Sequence, residues 1–174
     1  MRTKGEETVS TSTKGQDAEC FVFQGKIAVL PEVDRKIQER IRLWSKSERT
    51  VKWACVLTGE ARFEEETLIP LVDNFFELPA FGLNEEHGLA FCLDDIRRIA
   101  ENHYVIAMLQ MNPSNVFPTS SDLAVALYVD LLLSRPILHI FTSPGGQKLI
   151  LTFEKCHECE HSFFKLFQYE KKGR

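Results

Sequence analysis

Apolar and polar positions change period several times along this chain. Lys26 to Leu30 (KIAVL) predicts a short strand, and Pro31 after it suits the first turn of a helix. Val33, Ile37, Ile41 and Trp44 then recur at helical spacing, which predicts a helix with one buried face and a basic outer face. Val51 to Thr58 (VKWACVLT) reads as a strand ended by Gly59, and Thr67 to Val72 (TLIPLV) as a second strand that Pro70 pushes toward a sheet edge. Asp94 is placed to cap a short helix, Asp95 to Asn102, with Ile96, Ile99 and Ala100 facing inward. Tyr104 to Met111 (YVIAMLQM) is an apolar strand, and Asn112 to Pro118 a loop. Ser121 to Ser134 is a helix apolar on most of its circumference, and such a helix is expected to be packed on several sides. Pro136 to Phe141 and Lys148 to Phe153 predict two strands joined by the turn Ser143-Pro144-Gly145-Gly146, with Ser162 to Gln168 pairing back as a last strand. The expected fold class is therefore α/β, a mixed β-sheet flanked by helices.

Composition narrows this picture. A chain of 174 residues, 44% hydrophobic with 13 Phe, can bury one good core. One domain over 20–170 is expected, preceded by a tail over 1–19 too polar to offset the entropy of ordering. Twenty-one basic against 25 acidic side chains, a net charge of -4, provide no footprint for a phosphate backbone, so no nucleic-acid partner is expected. The first 20 residues lack the apolar h-region of a signal peptide, and no stretch approaches the ~20 apolar residues of a span, so a cytoplasmic protein without membrane contact is expected. The most apolar run, Leu123 to Leu133, is interrupted by Asp130. Five cysteines, an odd number, point to free thiols or metal ligands over a disulfide framework.

Residues Gln110 to Leu123 read QMNPSNVFPTSSDL, at the end of an apolar strand and leading into a helix. This resembles the motif of the MPN (JAMM) domain family, in which a strand ends in His-x-His-Pro and a Ser-x-x-Asp opens the next helix. Gln110-Met111-Asn112-Pro113 matches the first element, and Thr119-Ser120-Ser121-Asp122 the second. VKWACVLTGE and DLAVALYVDLLLSRPILHIFT are similar to the flanking strand and the helix-strand continuation of that family, so the resemblance spans roughly residues 26 to 153. It implies an MPN domain, layered like a cytidine deaminase.

In the catalytic members, two imidazoles and the helix-start carboxylate hold Zn²⁺ with a position open for water. The ion lowers the pKa of that water, a glutamate from the earlier strand takes its proton, and the Ser hydroxyl stabilises the oxyanion. Carried onto this chain, the imidazoles become Gln110 and Asn112, the glutamate becomes Lys52, and only Asp122, with Thr119 for Ser, persists. Amides are poor zinc ligands and one carboxylate cannot hold the ion, so the resemblance implies a degenerate pocket with no cofactor. Thr119 and Asp122 also have a local explanation as a capping box, and Gln110 and Asn112 are expected to form a hydrogen-bonded cluster with Asp122.

Other residues carry candidate chemistry. Cys156, Cys159 and His161 form a Cys-x-x-Cys hairpin with a trailing His, half of a zinc-knuckle signature. Cys55 and Cys92 read as inert core thiols, and His87, His103 and His139 as core or surface residues with no nucleophile beside them. Phe75, Phe76, Phe81 and Phe117 are expected in loops, where they could be contact or core material. Three functions follow. The first is a non-catalytic MPN-type scaffold or protein-binding module, whose partner would be another MPN domain or a ubiquitin-like protein. The second is a JAMM-like zinc metallopeptidase or isopeptidase with an altered metal site. The third is a zinc-knuckle protein using Cys156, Cys159 and His161.

Overall fold

The computed structural model describes residues 27–46, 52–64, 67–79, 93–113, 115–155 and 162–170. Among the described residues three helices and seven strands follow in the order β1 (Ala28–Val29), α1 (Pro31–Lys46), β2 (Trp53–Glu64), β3 (Thr67–Leu78), α2 (Leu93–Asn102), β4 (Val105–Met111), α3 (Ser120–Leu133), β5 (Leu138–Thr142), β6 (Lys148–Lys155) and β7 (Ser162–Glu170). The strands make one sheet in the order β1-β3-β2-β4-β5-β6-β7. Its pairs are antiparallel except β1 with β3 and β4 with β5. The chain is thus of mixed α/β class, with helices on both faces of the sheet.

Strand periodicity sorts the core. On one face, Val33, Ile37 and Trp44 of α1 pack on Trp53, Cys55 and Leu57 of β2 and on Ala107, Leu109 and Met111 of β4. On the other, Ile96 of α2 and Val129 of α3 cover Ala54, Val56 and Met108. Val116, Phe141, Leu149 and Leu151 extend that second layer. The period of two gives each strand one side chain per layer, and burial on both faces accounts for the nearly continuous apolar reading of β4.

Two of the expected strands prove longer. Gly59 does not end β2, which runs on to Glu64, and β3 continues past Val72 to Leu78. Gly59 sits instead at a bulge, where the β2–β3 register shifts between Thr58 and Gly59. A Cβ built there would lie 1.9 Å from the Leu71 carbonyl oxygen and 3.0 Å from the Asp73 amide nitrogen. Only glycine allows that approach, so the residue that reads as a terminator is what lets the ladder continue. Phe75 and Phe76 accordingly belong to β3 and not to a loop, and Phe81 lies outside the described residues. Nor is β3 the sheet edge. The two-residue β1 lies outside it, pairing at Leu71 and Val72 and not at Pro70.

Two further expectations change at the helices. Asp94 lies inside the first turn of α2, not at its cap, and pairs with Arg97 at 3.4 Å. Helix α3 packs on the sheet and on α2 but leaves one side open. It buries Asp122, Ala126, Val129 and Asp130, while Tyr128 is 61% and Leu131 64% exposed. The helix ends at Ser134, whose left-handed φ of 54° lets its amide reach the Asp130 and Leu131 carbonyls. No helix among the described residues is long and apolar enough to cross a membrane.

Candidate functional site

The site forms where β4 ends, β2 begins and α3 starts. Register sets Trp53 opposite Met111 and Ala54 opposite Gln110, so Lys52 stands across from Asn112 one step beyond. Met111 turns into the α1 layer, which puts Lys52, Gln110 and Asn112 together on the α3 side. The ladder persists past the strand end, because the Asn112 amide donates to the Thr142 carbonyl at 3.0 Å.

Helix α3 contributes Thr119 and Asp122. Thr119, with extended φ of -78° and ψ of 167°, is the N-cap. Its hydroxyl accepts from the Asp122 amide at 3.2 Å, and its own amide donates to Asp122 Oδ2 at 2.8 Å, which closes a capping box. Replacing Thr119 by Ala should cost about 1 kcal/mol of stability, with Thr119→Ser retaining most of it, in urea unfolding followed by circular dichroism. A cost indistinguishable from zero would mean that the cap does not hold in solution.

The central contact is ionic. Lys52 Nζ donates to Asp122 Oδ2 at 2.6 Å, with the two side chains 1% and 0% exposed. The same oxygen accepts from the Thr119 hydroxyl at 2.9 Å as well as from its amide. Among the described residues one carboxylate oxygen thus receives three donors, one of them a cation. An ammonium is the best remaining partner for an anion taken out of water, since an unpaired carboxylate at zero exposure would cost several kcal/mol.

Gln110 and Asn112 do not join this cluster as expected. Asn112 Nδ2 donates to the Phe117 carbonyl at 3.3 Å. Asn112 Oδ1 and both amide atoms of the fully buried Gln110 have no hydrogen-bond partner among the described residues. Proximity on a strand face does not by itself aim two amides at one carboxylate, and Lys52 with Thr119 already occupies Asp122 Oδ2.

Zinc does not fit the residues gathered at this strand end. The strand-end donors are neutral amides, and the carboxylate that would complete the set is already bound to an ammonium, whose charge opposes that of a second cation. Among the described residues no three His, Cys, Asp or Glu side chains converge on a point. Cys156, Cys159 and His161 lie outside the described residues, as do Cys92 and His87. Cys55 is a buried free thiol, and burial, with a smaller contribution from the Glu77 carboxylate, pushes its pKa far above the ordinary thiol value. Its thiolate is therefore inaccessible as a nucleophile or ligand at neutral pH.

A second buried polar pair went unread in the sequence. His139 Nε2 lies 2.9 Å from Asp130 Oδ1, and the Ile137 amide donates to the same oxygen at 3.2 Å. This ties the C-terminal turn of α3 to the start of β5. A lone Asp inside an apolar helix and a lone His inside an apolar strand, nine residues apart, were the available signal. A groove of about 520 Å³ opens elsewhere, between the end of β3 and α2, lined by residues including Phe76, Asp95, Arg98 and His103. None of the five pocket residues lines it.

Fold and site together define a layered mixed α/β domain in which the buried Lys52–Asp122 ion pair is built at a strand end and a capped helix start. No protein-family model matches the chain, and no curated protein matches it.

Proposed function

We propose that this chain is a non-catalytic protein-binding module on an MPN-type fold. The observation that carries the reading is the ammonium of Lys52 seated on Asp122. Where the catalytic pattern has a proton-accepting glutamate and a metal-binding carboxylate, this chain has a cation and its counter-ion, each neutralising the other. Neither is available to activate water: the carboxylate is held by three donors and the ammonium has no proton-accepting capacity. Support for the fold comes from a sheet flanked by helices on both faces, from Gln110 and Asn112 at a strand end on one face, and from the Thr119–Asp122 cap opening the following helix. Support for binding comes from the exposed apolar side chains of α3.

Metal content tests the reading. After loading with zinc and dialysis, the pocket of the wild-type protein should retain no metal that depends on Asp122. The triple variant Lys52→Glu, Gln110→His, Asn112→His should retain about one equivalent and lose it again on Asp122→Ala. Wild-type zinc that disappears with Asp122→Ala, accompanied by hydrolysis of an isopeptide substrate, would overturn the non-catalytic reading. Zinc lost only on Cys156→Ser would place the metal at the hairpin.

A further inference from the structure

We infer that the groove between the end of β3 and α2 takes an extended peptide segment of a partner protein, added as a short strand along the outer edge of β3. The inference deepens the protein-binding reading above and rests on it.

Strand β1 covers β3 only at Leu71 and Val72, so from Asp73 to Leu78 the outer edge of β3 has no strand beside it among the described residues. The direction of the main chain there follows from Phe75. Its amide donates to Asn74 Oδ1 at 2.8 Å, and an amide satisfied by its own strand points out of the β2 ladder. The amide and carbonyl of one residue leave a strand on the same side, and that side alternates along the chain, so Glu77 also turns both groups outward. Asn74 shields the edge at Phe75, and among the described residues no such side chain serves Glu77. The Glu77 carboxylate is engaged on the α1 face, where it accepts from Arg40 Nε at 2.7 Å and from Trp53 Nε1 at 3.2 Å. What Glu77 presents to the groove is therefore main chain.

Main-chain chemistry selects the occupant. An outward amide and carbonyl side by side are satisfied together by the main chain of an extended segment. A helix cannot supply this, because its own amides and carbonyls are already bonded to each other. Facing the strand edge across the groove is α2, with Asp95, Arg98, Ile99 and Asn102 on that wall. Between the two walls lie Phe76 and His103, whose ring centroids are 4.8 Å apart at a tilt of 45°. A strand edge on one side and a helix on the other, with aromatic side chains between them, is an arrangement that takes an added strand and reads alternate side chains of it. The period of two aims one side of that segment at Phe76, His103 and Ile99, so the side chain entering the groove is apolar or aromatic. A volume of about 520 Å³ has room for it.

Selection of a phage-displayed library of short random-sequence peptides on the full-length chain tests this. Enriched peptides should share an apolar or aromatic residue, and their binding should protect the Glu77 amide, which exchanges freely in the unbound protein, from hydrogen exchange. N-methylation along an enriched peptide should weaken binding about tenfold at alternate positions only, since every second amide of an added strand faces β3 and the others face solvent. Asn102→Trp, which fills the groove from an exposed position on its wall, should weaken binding by a similar factor with the circular dichroism spectrum unchanged. No enrichment over a bare surface, or an equal response to N-methylation at every position, overturns the proposal. So does a Glu77 amide already protected without peptide, whether by a second copy or by this chain's own residues. The zinc measurement keeps the two readings separate: a zinc-free protein that enriches no peptide sinks only the strand addition, whereas an Asp122-dependent zinc site in a protein that binds peptide at Glu77 sinks only the non-catalytic assignment.

Discussion

Lys52→Met should lower the free energy of unfolding by about 3–5 kcal/mol, because it leaves the Asp122 carboxylate in the interior without its cation. Asp122 is fully buried, and its remaining donors of known geometry, the Thr119 amide and hydroxyl, are neutral. The double variant Lys52→Met, Asp122→Asn removes both charges while keeping an acceptor for the Thr119 amide. It should be markedly more stable than the sum of the two single changes, with a coupling energy of about 2 kcal/mol or more in a double-mutant cycle. Urea unfolding of the four proteins supplies the cycle. A Lys52→Met cost below about 1 kcal/mol would mean that water reaches the pair and that Asp122 is not committed to Lys52.

The second large effect is expected at Gly59. The methyl group of Gly59→Ala would be forced to within 1.9 Å of the Leu71 carbonyl oxygen, which is backbone and cannot rotate away as a side chain can. Either β2 and β3 separate at the bulge or the bulge moves along the strand, and each breaks ladder bonds in the middle of the sheet. The expected cost is about 3 kcal/mol, read as a lower urea midpoint with an unchanged slope. A Gly59→Ala protein as stable as wild type would show that the close approach of Leu71 is absent in solution.

How much of this was legible in the sequence follows from what kind of interaction decided each part. Helix α1 was readable because one 3.6-residue period runs through it, and strands β4, β5 and β6 because each is a short apolar run bounded by turn residues. The lengths of β2 and β3 were not, because Gly59 and Asp73-Asn74 look like punctuation. Their role as a bulge exists only once the two strands are side by side. In the pocket, the Thr119–Asp122 cap was visible because it is local, three residues apart. The Lys52–Asp122 pair joins residues 70 positions apart, and no local pattern announces such a contact. Strand parity puts Gln110 and Asn112 on one face, but parity says where a side chain starts and nothing about what its amide reaches. The exposed side of α3 was misjudged for a related reason. Apolar composition shows that a surface must be covered, and cannot show whether the cover belongs to the same molecule.

The separation of Lys52 from Asp122 also bears on how long a folded molecule lasts. The cap at Thr119 can form as soon as the first turn of α3 does, so the carboxylate is positioned early and still hydrated. Lys52 arrives only when β2 has docked against β4, after a long loop has been closed and much of the chain has been ordered. A pair that waits for this docking is expected to be absent from the rate-limiting structure, so Lys52→Met should speed unfolding in stopped-flow measurements and leave the folding rate nearly unchanged. An interaction with that timing adds little to the speed of folding and almost its full strength to the barrier against coming apart. Lys52 in this sense sets the lifetime of the native state more than the rate at which that state is reached.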